Sequence, residues 1–349
     1  MRRRAVLLIA PLAFPLLFSG ITACSKDEPA KPKAAALPPE PIASDVVYNS
    51  FFEDKSGKAP PSVVMVDSGA SDPGAGLVGT SKAKVLDPGA EPRARLSYNF
   101  AINKSRSVTN TLKLDIVADT EGGGQQPPMK YSFTATPKTR NAATSSTHFE
   151  MKISSLELII PPGVTPPPEI TAQKAAMEKA FVGLSATFDA NGQGDIEEIK
   201  FQDEKAPPQV AQLLELLAAA FDIMLVPLPV DPVGIGAKWQ TTLSKPGKGT
   251  STATVTLLTK TENGASVKVE NTVNAPASPV ADPQVPPGTT IETKGSGSYT
   301  VDIRFDGVSS KAVGSQSVDR IIKVPASAQA PTGQTQKITV KMEQDLTSK

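Results

Sequence analysis

The sequence is poor in the side chains on which much enzyme chemistry depends. Its 349 residues include one cysteine, Cys24, one histidine, His148, and one tryptophan, Trp239. With a single cysteine the chain can form no internal disulfide, so its fold must depend on a hydrophobic core. With a single histidine it cannot build a His-rich zinc site, and the HExxH and CxxC patterns are both missing. The sequence therefore excludes a disulfide scaffold and the common zinc enzymes.

Residue sets for hydrolysis are equally scarce. His148 stands in a Ser-Ser-Thr-His context, and the sequence has no Gly-x-Ser-x-Gly elbow that would supply a nucleophilic serine. Carboxylates cluster at 115–121 and 195–198, but aromatic residues, which sugar-cleaving sites use for stacking, make up only 5% of the chain. We interpret both clusters as charged ends of hairpins and His148 as a polar residue at a strand end. The sequence predicts no catalytic residue and no enzyme activity.

Two short motifs resemble ligand-binding loops without completing them. Asp189–Asp195 resembles part of an EF-hand calcium loop but lacks the remaining acidic positions and the terminal glutamate. Gly295–Ser298 is glycine-rich, but neither a helix nor a suitably placed lysine follows, so it is not a phosphate cradle. We interpret it as a flexible lead into the strand that contains Tyr299. The sequence predicts neither a metal nor a cofactor.

The chain has no excess of charge of one sign. Its 36 Lys and Arg residues oppose 35 Asp and Glu residues, which gives no reason to expect a nucleic-acid partner. Prolines and glycines, in contrast, are frequent, at 33 and 25 residues. Because both residue types interrupt helices and mark turns, the composition favours β structure.

The chain also lacks an apolar run of membrane-spanning length. Ala5–Phe18 is 14 residues long and contains Pro11 and Pro15, whereas a spanning helix needs about 20 apolar residues. Three arginines precede this run and small residues follow it, which is typical of a cleaved secretory signal. An uncleaved anchor and a secreted protein with a free thiol are the alternatives.

The end of this leader, Ile21-Thr22-Ala23-Cys24, resembles the lipobox of bacterial lipoproteins. The resemblance implies a diacylglyceryl group on the sulfur of Cys24, cleavage before Cys24, and acylation of the new amino terminus. We therefore predict a signal peptide at 1–23, a lipidated Pro/Ala/Lys-rich tether at 24–45, and a single β-rich domain at 46–349. By the sorting rule of enterobacterial lipoproteins, Ser25 favours the outer membrane over the inner membrane.

Hydrophobic alternation predicts the strands of the body. It runs through about 96–160, 184–201 and 238–345, and its first clear stripe is Leu96, Tyr98, Phe100 and Ile102. The short connections between successive stripes imply antiparallel pairing, because parallel strands need long crossovers. Residues 275–288 are proline-rich without periodicity, so we predict a loop there.

Helical spacing and turn residues predict the remaining elements. Apolar residues recur at helical intervals at about 170–182 and 208–224, and the second of these stretches is so apolar that it should be buried. Asn191-Gly192-Gln193-Gly194 predicts a tight hairpin turn, because Asn-Gly readily supplies positive φ angles.

A second resemblance concerns the body. Leu86–Arg93 and Leu228–Trp239, with the alternating strands that follow them, resemble a family of uncharacterised bacterial lipoproteins over roughly Leu86 to Leu346. The Gly-Ala-Lys-Trp neighbourhood carries most of this resemblance. It implies no catalytic residues, and we interpret Trp239 as a core residue at the start of a strand.

These patterns predict a mainly β (α+β) fold: a large antiparallel curved sheet or half-barrel with two helical insertions on its concave side. At the level of fold this is similar to the lipoprotein carriers and lipid-binding lipoproteins of the periplasm. It suggests a lipid or other apolar ligand held between sheet and helices. The predicted lining is Tyr98, Phe100, Leu213, Leu217, Phe221, Tyr299 and Phe305. The alternative is a structural lipoprotein with a fully packed core, whose partners are envelope proteins.

Overall fold

The computed structural model describes the body of the chain in several stretches. These are residues 83–119, 124–125, 128–160, 181–201, 223–245, 249–280, 286–326 and 333–349, with a few single residues between 171 and 179. The predicted signal peptide and tether lie outside them, as does Cys24. The lining residues Leu213, Leu217 and Phe221 also lie outside the described residues.

The described residues form one large antiparallel sheet, which confirms the predicted β class. Its strands are β1 (Lys84–Asp87), β2 (Arg106–Ala118), β3 (Gly124–Gln125), β4 (Met129–Asn141), β5 (Ser146–Leu158), β6 (Ser185–Asn191), β7 (Ile196–Phe201), β8 (Lys238–Lys245), β9 (Gly249–Lys260), β10 (Gly264–Pro279), β11 (Thr290–Arg304), β12 (Lys311–Val324) and β13 (Gln334–Ser348). Twelve of them follow the order β1-β8-β9-β10-β11-β12-β13-β2-β4-β5-β6-β7, and β3 pairs with β2.

Two runs of sequential strands make up this order. Strands β8 to β13 form one meander, and β2 with β4 to β7 forms the other. They join where β13 pairs with β2 along Ile338–Ser348, with Val340 opposite Ile116. Most neighbours in these runs are joined by short connections, as antiparallel pairing allows, but residues 159–184 lie between the paired strands β5 and β6.

One peptide group shows how closely the two margins of the sheet approach. The carbonyl of Pro227 accepts a hydrogen bond from Trp239 Nε1 in β8 at 2.8 Å. The N–H of Leu228, in the same peptide group, donates to the carbonyl of Gln193 between β6 and β7 at 2.7 Å. Nine strand-to-strand steps separate β8 from β6, which in a flat sheet would span about 43 Å at about 4.8 Å per step. The two margins of the sheet therefore approach each other at this end.

We call this end of the sheet the tied end; it holds the turns 142–145, 192–195, 261–263 and 305–310. Residues 94–101 run across it and bond to several elements in turn. Tyr98 N donates to Gly192 O at 2.7 Å, and Asn99 N donates to Phe305 O at 2.6 Å. Because successive bonds reach different partners, no ladder forms along this segment.

The predicted strand beginning at Leu96 is therefore wrong. Leu96, Tyr98 and Phe100 are buried, as the alternation indicated, but the segment is extended chain outside the sheet and Ile102 is 40% exposed. The first long strand of this region begins at Arg106. An extended segment laid against a core alternates in burial just as a strand does, so periodicity alone does not separate the two.

Three local predictions also need correction. The predicted loop from Ala275 is strand as far as Pro279, because β10 continues to pair with β11 there. Gly295–Ser298 is not a flexible lead but the middle of β11, paired on both sides. In the turn after Asn191, the positive φ of 81° belongs to Gly194 rather than to the Asn-Gly pair. The hairpin of β6 and β7 itself is confirmed.

The two predicted helical insertions are not shown by the part of the chain that the structure describes. Residues 170–182 are described only in pieces, and most of 208–224 lies outside the described stretches. Within those stretches, no helix has both the length and the apolar character needed to cross a membrane.

The buried face of the sheet, here called the inner face, differs between the two meanders. Of the ten largest fully buried side chains among the described residues, only Trp239 comes from β8–β13. We call the β4–β7 part the aromatic half; its inner residues include Tyr131, Phe133, Phe149, Met151, Ile153 and Phe188. We call the β10–β13 part the small-residue half; its inner residues include Val267, Val301, Ala312, Val318 and Val340.

Candidate functional site

Four buried amide side chains cross the inner face of the small-residue half and the adjoining strand. They are Asn271 in β10 (6% exposed), Gln316 in β12 (3%), Gln344 in β13 (3%) and Asn110 in β2 (0%). Each occupies an inward position whose neighbours along the strand are apolar. From Gln316 to Gln344, and again from Gln344 to Asn110, the position on the sheet shifts two residues toward the tied end. We therefore call this set the polar diagonal.

Gly297 makes room for the first two members of the polar diagonal. It lies opposite Asn271 on one side and opposite Gln316 on the other. A Cβ atom on Gly297 would stand 2.5 Å from Asn271 Oδ1 and 3.0 Å from Gln316 Cβ. Both side chains therefore lie over the bare backbone of β11, where any larger residue would displace them.

Gly314, beside the third member, makes room for the ring of Tyr299. It lies opposite Gln344 in β13 and opposite Tyr299 in β11. A Cβ atom on Gly314 would stand 2.5 Å from Cδ1 of Tyr299, so the ring of Tyr299 lies over this glycine. The Tyr299 hydroxyl donates to Gln316 Oε1 at 3.4 Å, a long hydrogen bond that connects the ring to the polar diagonal.

The fourth member connects the polar diagonal to the aromatic half. Asn110 Nδ2 donates to the hydroxyl of Tyr131, its cross-strand neighbour in β4, at 2.6 Å. Burial raises the pKa of the Tyr131 hydroxyl, and the hydrogen bond from Asn110 opposes that rise. The phenol is therefore neutral at physiological pH.

Every member of the polar diagonal has a buried polar atom without a hydrogen-bond partner in the structure. These atoms are Asn110 Oδ1, Asn271 Oδ1, Gln316 Nε2 and Gln344 Oε1. An unsatisfied buried polar group costs about 1–3 kcal/mol, and such groups are uncommon in native cores. The four atoms lie on β10, β12, β13 and β2.

The predicted lining residues fall into different places. Tyr98 and Phe100 lie in an aromatic cluster at the tied end, where Tyr98 stacks on Phe100 at 5.2 Å and Phe100 meets Phe149 edge-on at 4.9 Å. The Tyr98 hydroxyl also donates to Val226 O and accepts from Val226 N, each at 3.1 Å. Phe305 is half-buried in the neighbouring turn. Of the described members, Tyr299 alone lies beside the polar diagonal.

Sequence reasoning missed the polar diagonal, although a signal was present. In β12 the inward phase is Ala312, Gly314, Gln316 and Val318. An amide in the apolar phase of an alternating strand is out of place, because such positions normally carry residues that need no hydrogen-bond partner. The same test picks out Gln344 between Met342 and Leu346 in β13.

In the candidate calcium loop, the side chains of Asn191 and Asp195 form hydrogen bonds within the loop itself. Asn191 Oδ1 accepts from the backbone N–H of Gln193 at 2.9 Å and of Asp195 at 3.0 Å, and Asn191 Nδ2 donates to Asp195 Oδ2 at 3.0 Å. Burial raises the pKa of Asp195, against the effect of that last bond. Across the described stretches, no group of three or more His, Cys, Asp or Glu side chains is placed to hold a metal ion.

His148 lies in a pair between neighbouring strands. Its Nδ1 is 3.0 Å from Asp189 Oδ1, and both side chains are partly exposed, at 39% and 46%. The two residues face each other across β5 and β6. This placement agrees with the interpretation of His148 as a polar residue at a strand end.

A charge cluster holds the tied end together. Asp306 accepts hydrogen bonds from Arg304 Nε at 3.0 Å, Arg106 Nη2 at 2.8 Å and Lys104 Nζ at 3.1 Å. The hydrogen bond from Arg304 is the main reason why the pKa of Asp306 lies well below its ordinary value. The cluster connects the β11–β12 turn to the start of β2.

The chain matches no protein-family model, and no curated sequence is similar enough to count as a match.

Proposed function

We propose that this protein is a non-enzymatic lipoprotein of the cell envelope, anchored through Cys24, that holds a lipid or other apolar ligand against its inner face. The outer membrane is the favoured location. The proposal combines the leader and lipobox with the character of the small-residue half. It places the ligand on β10–β13, beside Tyr299, rather than at the tied end.

The observation that carries the proposal is the unsatisfied polar diagonal on a face of small residues. Apart from Tyr299, the buried inner residues described in this half are aliphatic, glycine or amide residues, whereas the other half is rich in aromatic rings. Buried amides without partners are a cost that an ordinary packed core avoids. A bound molecule with hydrogen-bonding groups would satisfy those atoms.

The half-barrel shape and the two helices belong to the same proposal. Strand β7 ends at Phe201, away from the tied end, and the described chain resumes at Ile223, which lies at the tied end beside Ser309. A helix over 208–224 would be about 25 Å long at 1.5 Å per residue, enough to cover strands of this length. We propose that it roofs the ligand.

The alternative function, a structural lipoprotein with protein partners, is favoured by the aromatic half. There Phe149 and Phe188 stack at 4.7 Å in an ordinary close-packed core. If the small-residue half were covered as tightly by the chain itself, no ligand would fit.

Site-specific photocrosslinking separates the two functions. Benzoylphenylalanine would replace Tyr299 on the inner face or, as the matched control, Val313, which is 41% exposed on the outer face of β12. Both full-length proteins would be irradiated in intact cells and weighed by mass spectrometry. We expect an adduct of lipid mass from position 299 and not from position 313. Crosslinks from position 299 to the protein's own chain alone would support the structural alternative.

The anchor is tested independently. Replacing Cys24 with Ser removes the sulfur that the lipobox would acylate, so incorporation of labelled fatty acid should be lost and the unprocessed precursor should accumulate. Stable membrane attachment needs about two acyl chains, which maturation at Cys24 would supply. Labelling that persists in Cys24→Ser would contradict the lipoprotein assignment.

A further inference from the structure

We infer that the ligand of the inner face carries uncharged oxygen groups, hydroxyls or esters, within an otherwise apolar chain, and that the polar diagonal binds them. This inference rests on the proposed function and names the chemical class of its ligand. An acylglycerol and a hydroxylated acyl chain both belong to this class. A plain hydrocarbon does not, and neither does a molecule that would bring a charge to the diagonal.

The partnerless atoms of the polar diagonal include both hydrogen-bond acceptors and a donor. Asn271 Oδ1 and Gln344 Oε1 are acceptors, and Gln316 Nε2 is a donor. A hydroxyl can donate to the first two, and an ester or hydroxyl oxygen can accept from the third. A hydrocarbon would leave all three atoms unsatisfied, at the cost that burial of such groups carries.

The charge of the inner face near Gln316 also limits the class of ligand. Among the described inward positions of β10–β13, Arg320 is the one charged residue. It lies four positions from Gln316, or about 13 Å along the strand at about 3.3 Å per residue. A carboxylate or phosphate placed beside Gln316 would be buried without a counter-charge, which is strongly unfavourable. Any ionised group of the ligand must therefore lie away from the polar diagonal.

The spacing of the partnerless atoms suits several oxygens of one molecule. Asn271 and Gln316 flank Gly297, and Gln316 and Gln344 are diagonal neighbours on adjacent strands. Diagonal neighbours in an antiparallel pair lie about 7–8 Å apart. The partnerless atoms are thus close enough for oxygens a few bonds apart in one molecule, as in the glycerol ester region of a lipid, to reach more than one of them.

Two photoreactive probes of equal chain length test the inference. One is a diazirine-bearing monoacylglycerol and the other is a diazirine-bearing hydrocarbon. The full-length protein would be purified in amphipol, exposed to each probe and irradiated, and the fraction carrying an adduct would be measured by intact mass. We expect the wild type to capture the monoacylglycerol several-fold more than the hydrocarbon.

The informative variant is Gln316→Met, which keeps the side-chain length and removes the amide. It should lower capture of the monoacylglycerol by about five- to tenfold, the loss expected for one hydrogen bond, and leave capture of the hydrocarbon unchanged. Gln240→Met is the matched control, because Gln240 lies in β8 next to inward Trp239 and so faces outward. It should change neither capture. Asn271→Leu repeats the test on β10 if Gln316→Met fails to fold.

The outcomes separate the inference from the function on which it rests. If the wild type captures neither probe, the proposed function fails. If it captures both, and the folded variants keep the same ratio between them, the inference is overturned while the proposed function stands. That result would mean that water or the chain itself satisfies the amides.

Discussion

The two halves of the sheet use the same backbone ladder and differ in what they place on its inner face. In the aromatic half, Phe149 is 0% exposed and lies against Phe188 on one side and Phe100 on the other. In the small-residue half, Tyr299 is the one buried aromatic ring among the described residues, and the other inward positions carry aliphatic side chains, glycines and buried amides without partners. The first half is packed as a stable core, whereas the second leaves polar groups buried without partners.

This difference teaches where to look for function when neither a family model nor a curated sequence matches. A core that is closely packed and fully hydrogen-bonded is explained by its contribution to stability. A local departure from such a core, with no compensating bond inside the chain, is expected at functional sites. The polar diagonal is such a departure; of the aromatic residues predicted as lining, Tyr299 lies beside it, whereas Tyr98 and Phe100 lie at the tied end.

The largest expected effect belongs to the aromatic half. Replacing Phe149 with Ala should lower the free energy of unfolding by about 3–5 kcal/mol, because the buried ring leaves a cavity between two packed neighbours. Urea denaturation followed by circular dichroism would measure it. Val313→Ala, on the exposed face of β12, should cost less than about 0.5 kcal/mol. Equal losses in the two variants would show that the aromatic half is not the stabilising core.

The comparison also explains what could be predicted from sequence. Strands β8 to β13 were predictable because each has an apolar phase that one buried face imposes. The segment 94–101 was misassigned because Tyr98 and Phe100 alternate in burial while their backbone bonds to several elements. Local periodicity does not determine which carbonyl a backbone N–H will bond to.

The site was less predictable than the fold. Gly295–Ser298 looks like a flexible stretch in sequence, since glycine weakens a strand when nothing approaches it. In the structure Gly297 lies under two side chains from neighbouring strands, a contact set by the register of β10, β11 and β12. Pairing register is a long-range property, so the proximity of Asn271 to Gln316 could not be derived from either strand alone.

Filling the small-residue half is the next largest perturbation. Gly297→Ala places a methyl group 2.8 Å from the backbone carbonyl of Ser315 and 2.5 Å from Asn271 Oδ1. Overpacking of this kind costs about 1–3 kcal/mol, which exceeds the gain of up to about 1 kcal/mol from replacing glycine in a strand. Ser296→Ala, one position away on the exposed face, should be close to neutral. A Gly297→Ala protein as stable as the wild type would show that β11 can shift and that the cradle is not rigid.

A smaller effect is expected where the two halves meet, at the Asp306 cluster. Asp306→Asn should cost about 1 kcal/mol at neutral pH, because the carboxylate is one-third exposed and solvent screens its ion pairs. The folded pKa of Asp306 is lowered, so its contribution is present above the unfolded value of about 3.9 and is lost as the pH falls through the folded pKa. The difference between wild type and variant should therefore shrink below about pH 4.

Thermal melts at pH 7 and pH 3 would measure that change. Glu262→Gln provides the control, since Glu262 is an exposed carboxylate in the turn 261–263 at the same end. It should show little effect at either pH. A penalty for Asp306→Asn that grows as the pH falls would contradict the assigned direction of the pKa shift.

The smallest expected effect, and the one that tests the comparison most directly, comes from Gln344→Met. In the aromatic half any truncation or polarity change at a buried position should destabilise. In the small-residue half, replacing Gln344 removes a buried carbonyl oxygen that has no partner in the structure and keeps the side-chain length. Removal of an unsatisfied polar group is near neutral or stabilising by up to about 1 kcal/mol. Urea denaturation of delipidated protein should show this.

Adding a monoacylglycerol should then stabilise the wild type more than Gln344→Met, because a ligand that bonds the amide binds the folded wild type more tightly. A loss of 2 kcal/mol or more in the delipidated variant, on the scale of a broken buried hydrogen bond, would mean that Gln344 already has a partner within the fold, and the two halves would then differ in composition but not in kind.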